Sequence, residues 1–183
     1  MARIFREAAV TVAQRIVHQR VAAVFLEGRA VLAAPPHGAE RTLTVWSSTQ
    51  TPHALRDELA GLLPRRVPVR VIAPDVGGGF GAKINIYPEE FLIPLLALRL
   101  GRPLKWVEHR REHLQATSHG RSQFADVRLA ASRDGRILGL QLHIVADVGA
   151  YLLSTTADVP PLTLEMASGP YDIRAVGVDL REV

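Results

Sequence analysis

Four glycines in five positions, Gly77, Gly78, Gly79 and Gly81 around Phe80, are the residues of this sequence best suited to meet a ligand. Glycine serves where backbone takes φ > 0 or must approach another group closely. The stretch from Val71 to Ile84, Val-Ile-Ala-Pro-Asp-Val-Gly-Gly-Gly-Phe-Gly-Ala-Lys-Ile, therefore predicts bare peptide groups lying against a bound molecule, with Phe80 as the bulky wall. Upstream, Gln50 falls between a predicted strand and a predicted helix. Its carboxamide would bring two donors and an acceptor to the open end of a sheet. Plainer readings stay open at both places: a glycine turn joining strand to helix, and a glutamine bonded to nearby backbone.

The familiar phosphate loops do not fit. A Walker A loop needs glycine directly before its lysine and Ser or Thr directly after it. Lys83 instead follows Ala82 and precedes Ile84. A dinucleotide fingerprint starting at Gly77 would put Ala82 at its sixth position, and the acid it needs further on has only Glu108 as a late candidate. His109 and His113 are spaced i, i+4 on a predicted short helix, which is metal-pair spacing, but no third ligand accompanies them. Asp147 and Asp158 read as structural.

The elements that must position these residues are legible in outline. Met1 to Ala34 is ambiguous between strand and Ala-rich helix. Ala34-Pro-Pro-His-Gly38 is a turn cluster, and Leu43 to Thr49 reads as a strand. Thr51 then Pro52 predicts a helix start with a hydroxyl cap, carrying a stripe of Leu55, Leu59, Leu62 and Leu63 and stopped by Pro64. Val67 to Ala73 is a strand feeding the glycine loop. Pro88-Glu-Glu90 opens a second helix whose body, Phe91 to Leu100, is apolar nearly all round and predicts deep burial, with Pro94 inside it and Gly101 as its C-cap. Leu104 to Val107 is a third strand and Arg110 to Ala116 a short helix. Asp134-Gly135 between Gln123–Ala131 and Arg136–Ala146 is a hairpin signal. A loop with a short helix near Leu162 and a last strand, Ile173 to Leu180, complete the chain. The fold class is α/β (α+β mixed), a βαβαβ unit followed by an antiparallel hairpin.

With 183 residues and 48% hydrophobic composition, the chain is globular and long enough for a real core. Its net charge of +4 is scattered, and aromatics are only 5%, so a nucleic-acid partner is not expected. No cysteine is present, which excludes disulfides and thiolate-held iron–sulfur clusters within this chain. No apolar run reaches membrane-span length and Met1 to Val10 lacks a signal-peptide core, so a cytoplasmic protein with no membrane partner is expected.

The glycine loop resembles the Gly-Gly-Gly-Phe-Gly-x-Lys loop beside the molybdenum centre in the molybdopterin-binding large subunit of the xanthine dehydrogenase, aldehyde oxidase and carbon monoxide dehydrogenase family. Ser48-Thr49-Gln50 resembles that family's Ser-Thr-Gln. Leu100-Gly-Arg-Pro-Leu-Lys-Trp-Val-Glu108, Asp134-Gly135 and Ala146-Asp-Val-Gly-Ala-Tyr151 follow in family order and spacing. The likeness runs from about Val12 to the end. One departure is Phe25-Leu-Glu-Gly-Arg29, where Gly28 stands in place of the usual proline.

The resemblance implies roles for these residues. Gln50 would lie close to an oxygen ligand of molybdenum and serve catalysis and cofactor binding; Gly78, Gly79, Phe80 and Gly81 would present backbone to the molybdenum ligands and the pterin. The cofactor would be molybdenum–molybdopterin, of undetermined dinucleotide form, held only in the complete subunit. The activity would be oxidative hydroxylation of an aldehyde or N-heterocycle with water-derived oxygen. Purine-oxidising members carry an acid after the motif lysine; Ile84 here leans toward the carbon-monoxide-dehydrogenase-like branch. The family's catalytic glutamate and copper-supporting cysteine lie downstream of these residues. The expectation is a fragment: residues 1–40 as an N-terminal connecting segment and 41–183 as part of a first molybdopterin-binding domain, inactive alone. Its partners would be the remainder of the large subunit and iron–sulfur and flavin subunits or domains. A non-catalytic assembly module completed by a second chain, or a generic nucleotide-binding domain, are the rival readings.

Overall fold

The computed structural model describes residues 1–63 and 67–183, so the expected stop at Pro64 lies outside the described residues. In chain order the elements are α1 (Ala2–Glu7), β1 (Val10–Ala22), β2 (Ala30–Ala34), β3 (Leu43–Ser47), α2 (Pro52–Leu62), β4 (Val69–Ile72), α3 (Pro88–Leu100), β5 (Leu104–Val107), α4 (Arg110–Ala116), β6 (His119–Ala131), β7 (Ile137–Ala146), α5 (Val159–Glu165) and β8 (Val176–Glu182). They divide into two compact units: residues 22–119, and residues 1–21 with 120–183.

The unit of residues 22–119 is built on a four-stranded sheet in the order β4-β3-β2-β5. β3 pairs with β4 in parallel, from Leu43 opposite Val69 to Trp46 opposite Ile72. β2 is antiparallel to both β3 and β5. It follows that β3, β4 and β5 all run the same way. The expected βαβαβ unit is therefore present, with β2 inserted antiparallel between its first and last strands.

The core follows from the two periods. Val31 and Ala33 on β2, and Leu43 and Val45 on β3, alternate inward as a strand requires. Leu55 and Leu59 of α2 and Ala97 of α3 pack on the same residues, so both helices cover one face of the sheet. α3 departs from the expected all-round burial. Glu90, Pro94 and Ala97 are its buried positions, while Leu92, Leu95 and Leu100 stay exposed. A helix lying on one sheet face buries one stripe however apolar its other side is. Leu62 is likewise exposed and falls outside the α2 stripe. Gly101 ends α3 at φ 65°, as a left-handed C-cap should.

In the other unit the sheet order is β1-β6-β7-β8. The expected hairpin joins β6 and β7, with Gly135 at φ 88° and Ser132 N–H donating to Arg136 O at 2.9 Å. A register shift at Ala130/Ala131 bends its base. β8 runs parallel to β7. Ile4 of α1 stands 3.1 Å from where a side chain on Gly139 would begin, and the Met1 methyl 3.0 Å from the same point on Gly177, so two glycines make room for α1 against the sheet. Among the described residues no helix is long and apolar enough to cross a membrane.

Candidate functional site

β3 and β4 are neighbours and parallel, so their C-terminal ends lie at the same edge of the sheet. Gln50 leaves one end and the glycine loop leaves the other. The parallel pairing thus brings together two stretches that are far apart in sequence, at the place where α/β sheets bind ligands. The backbones are then stitched. Gln50 N–H donates to Lys83 O at 3.0 Å, Thr49 Oγ1 donates to the same carbonyl at 3.3 Å, and Thr51 Oγ1 donates to Ile84 O at 3.0 Å. Thr51 therefore occupies the cap position of α2 without making the expected side-chain cap. Its hydroxyl serves the loop instead.

The loop folds tightly on itself: Ala82 N–H donates to Gly79 O at 2.9 Å and Ile84 N–H to Gly81 O at 3.2 Å. Gly78 and Gly81 take φ of 95° and 90°, and Phe80 is left-handed at 49°. A bulky residue in that region is strained, and such strain concentrates where function over-determines the backbone. The Phe80 ring remains 78% exposed.

Gln50 lies directly against Gly79. A Cβ at Gly79 would fall 2.7 Å from Gln50 Cδ, so only glycine admits the carboxamide. Gln50 Oε1 accepts the Gly81 N–H at 3.1 Å. That donor fixes the amide's orientation and turns its NH2 away from the loop. Among the described residues no hydrogen bond takes up this NH2 or the N–H groups of Gly78, Gly79 and Phe80. Of the sequence-predicted site residues, Gln50, Gly78, Gly79, Phe80 and Gly81 are thus gathered in one place. Gly81 differs from the others in that its N–H is already committed to Gln50.

Lys83 does not reach toward these free donors. It is 1% exposed, its ammonium stands 4.5 Å from the Phe25 ring centroid, and it donates to Glu27 Oε2 at 2.8 Å. The same oxygen accepts Gly77 N–H at 2.8 Å. Burial alone would raise the Glu27 carboxyl, but the bonds from Lys83 and Gly77 outweigh it and hold the pKa below the ordinary glutamate value. Glu27 was visible in the sequence only as one letter of Phe25–Arg29, because its partners lie beyond any local spacing rule.

Of the histidine pair, His113 is taken up by the protein itself. His113 is buried, with Nδ1 3.2 Å from Glu108 Oε2 and Nε2 3.1 Å from Ala23 O, so both ring nitrogens are engaged within the protein. Glu108 in turn receives the Arg29 guanidinium at 2.9 and 2.8 Å and Thr117 Oγ1 at 3.1 Å. Arg29 also meets Glu89 at 3.0 Å and lies 3.9 Å above the Tyr87 ring. Glu108 is therefore the hub of a buried network and has no ribose-binding geometry. Gly28 beside it packs closely, since a Cβ there would sit 3.0 Å from Glu108 O, a tight contact that the neighbouring backbone would have to ease. Among the described residues no group of three or more His, Asp or Glu could hold a metal ion.

The arrangement can do one thing chemically: offer several N–H donors, without a formal charge, to negatively charged oxygens. Comparison with known proteins shows the family of the chain. Residues 1–183 match the family described as "Molybdopterin cofactor-binding domain". The nicotine 6-hydroxylase large subunit of Paenarthrobacter nicotinovorans is 41% identical over 166 residues, covering 85% of this chain and 20% of that protein. The carbon monoxide dehydrogenase large chain of Hydrogenophaga pseudoflava is 38% identical over 176 residues, covering 93% and 21%. The solved structure of quinoline 2-oxidoreductase from Pseudomonas putida 86 superposes with a TM-score of 0.86 at 32% identity, covering 100% of this chain and 23% of that one. The chain spans about a fifth of the length of the curated relatives it matches.

Proposed function

Because the chain belongs to the molybdopterin cofactor-binding domain family of the xanthine dehydrogenase, aldehyde oxidase and carbon monoxide dehydrogenase enzymes, we propose that it supplies one wall of a molybdenum–molybdopterin site within a larger molybdenum hydroxylase subunit. The observation that carries this reading is the cradle formed where Gln50 lies on Gly79 and binds Gly81. Its residues fit such a group. The N–H groups of Gly78, Gly79 and Phe80 and the Gln50 NH2 are unspent donors, and a Cβ at Gly81 would meet only open space.

When bound, the molybdenum–molybdopterin group supplies a two-electron oxidation that hydroxylates a substrate carbon. The protein's part is positioning. Gln50 Nε2 would help hold the group without adding charge, and the amide's orientation is set in advance by the Oε1 bond to Gly81. Phe80, which is 78% exposed, would stand as the bulky wall on one side of it. Glu27 is committed to Lys83 and Gly77, so it is not a free base. The general base and the remaining cofactor contacts come from outside these residues, and the chain alone is inactive on this reading. The substrate class we assign is an aldehyde or N-heterocycle, and two of the relatives above are named for nicotine and quinoline. Ile84 in place of an acid weighs against a purine. With no cysteine in the chain, iron–sulfur and flavin partners carry the electrons away.

The test compares the purified chain with the assembly recovered from its source cells through an affinity tag on this chain. Molybdenum content and dye-linked oxidation of aldehydes and N-heterocycles are measured on both. The assembly is expected to hold molybdenum and turn over, and the chain alone to do neither. Stoichiometric metal with turnover in the isolated chain overturns the single-wall reading. A molybdenum-free assembly overturns the enzyme reading in favour of a structural module.

A further inference from the structure

We propose that Glu27 is a positioning residue for the cofactor loop: by holding the Lys83 ammonium inward and pinning Gly77, it sets where the Gln50 amide and the free loop N–H groups point. The inference rests on the functional reading above and adds to it a residue that touches neither cofactor nor substrate.

One carboxylate oxygen closes both ends of the loop. Glu27 Oε2 accepts from Gly77 N–H at the entry and from Lys83 Nζ at the exit, each at 2.8 Å. Glu27 N–H also donates to Gly77 O at 3.3 Å. The approach is closer than any other residue would allow, since a Cβ at Gly77 would stand 2.6 Å from Glu27 Cβ. Gly77 therefore lacks a side chain because of Glu27, whereas Gly79 lacks one because of Gln50.

Lys83 links this clamp to the site. An ammonium taken out of water needs a counter-charge, and at 1% exposure Lys83 has Glu27 on one side and the Phe25 ring on the other. Its own carbonyl holds Gln50 N–H and Thr49 Oγ1. If Glu27 lost its charge, the ammonium would be driven toward water, and the peptide that carries the Gln50 anchor would follow. A cation would also arrive beside donors that the fold otherwise keeps free of side-chain charge. The pair is thus a device for keeping a lysine out of the cradle while using it to brace the backbone.

The experiment uses the tagged assembly carrying Glu27→Gln, Lys83→Met and the double variant Glu27→Gln/Lys83→Met. Three quantities are read: molybdenum per chain after gel filtration, the Mo(V) paramagnetic resonance line shape, and the melting temperature. Glu27→Gln is expected to lose at least about threefold in molybdenum per chain and to alter the line shape, because glutamine keeps an acceptor oxygen but removes the counter-charge that holds the ammonium inward. The double variant is expected to regain most of the molybdenum and the native line shape, since Met leaves no charge to expel and fills the space over Phe25. A role confined to stability predicts a lower melting temperature with unchanged metal and line shape, and that result overturns the proposal. A double variant no better than Glu27→Gln also overturns it. If Glu27→Gln does not assemble, recovery of a loaded double variant supports the proposal and failure to recover it overturns it. A wild-type assembly without molybdenum sinks the functional reading and this inference together; a loaded wild type with an unaffected Glu27→Gln sinks this inference alone.

Discussion

Gln50 Oε1 accepts the N–H of Gly81 at 3.1 Å while the Gln50 side chain occupies the space a Cβ would take at Gly79. Two glycines thus act on one carboxamide, the first by absence and the second by donation. Gly79→Ala is expected to push the carboxamide off the loop and break the Gly81 bond. The loss is about 1 kcal/mol of stability, the usual net worth of one hydrogen bond. Its larger effect falls on metal content of the assembly, which drops with Gly79→Ala as it does with Gln50→Ala. Equal metal loading in wild type and Gly79→Ala would contradict the assigned role of the amide.

Arg29 is the second point of leverage. Its guanidinium binds Glu108 and Glu89 and stacks on Tyr87, and the Glu108 side chain is fully buried. Arg29→Ala strands that carboxylate, and removing one partner of a buried pair typically costs about 3–5 kcal/mol. Arg29→Lys recovers only part of this, because an ammonium cannot reproduce the planar fork. Urea unfolding midpoints of the purified chain give the order wild type, then Lys, then Ala. A lysine variant as stable as wild type would show that charge alone suffices.

Glu90 carries a pH dependence. Burial raises its carboxyl above the ordinary 4.5, against bonds from Tyr87 N–H and Ser47 Oγ that lower it. A folded-state pKa above the unfolded one means that the protonated acid is favoured by folding. That stabilisation is whole below pH 4.5 and is lost as pH rises through the folded value. Glutamine does not titrate, so the melting temperature of wild type relative to Glu90→Gln should decline as pH rises above 4.5. A difference that is flat or grows with pH would mean the carboxylate is accommodated as an anion.

In the core, Leu55 is fully buried between α2 and the sheet. Leu55→Ala should cost about 2–5 kcal/mol by lost burial and the cavity left behind. Leu62→Ala, on the exposed side of the same helix, should change stability by less than about 0.5 kcal/mol. Comparable losses at both positions would show that the outer face of α2 is covered in solution.

Much of this was readable from local chemistry. β5 and α4 fall where the sequence places them, β5 just after Gly101 and Pro103 and α4 up to the β-branched Thr117. Gln50 and the glycine loop were legible as candidates because bare backbone has few other uses. Glu27 was not, since its partners are 50 and 56 residues away. The same is true of Thr51, whose hydroxyl prefers the Ile84 carbonyl to the helix it precedes. The burial of α3 was overestimated because hydropathy counts apolar residues and takes no account of which side meets a sheet. The N-terminal strands were ambiguous because their pattern is completed only by pairing, as when β2 enters between β3 and β5.

The parallel pairing of β3 with β4 has a consequence for how the protein tolerates change. Two segments that hang from adjoining strands and are laced to each other cannot be lengthened independently. One extra residue between Ser47 and Pro52 would slide every rung between Gln50 and Lys83 while the strands beneath stayed fixed. Insertions and deletions should therefore be forbidden in both segments, even though each looks from its composition like an ordinary adaptable surface turn.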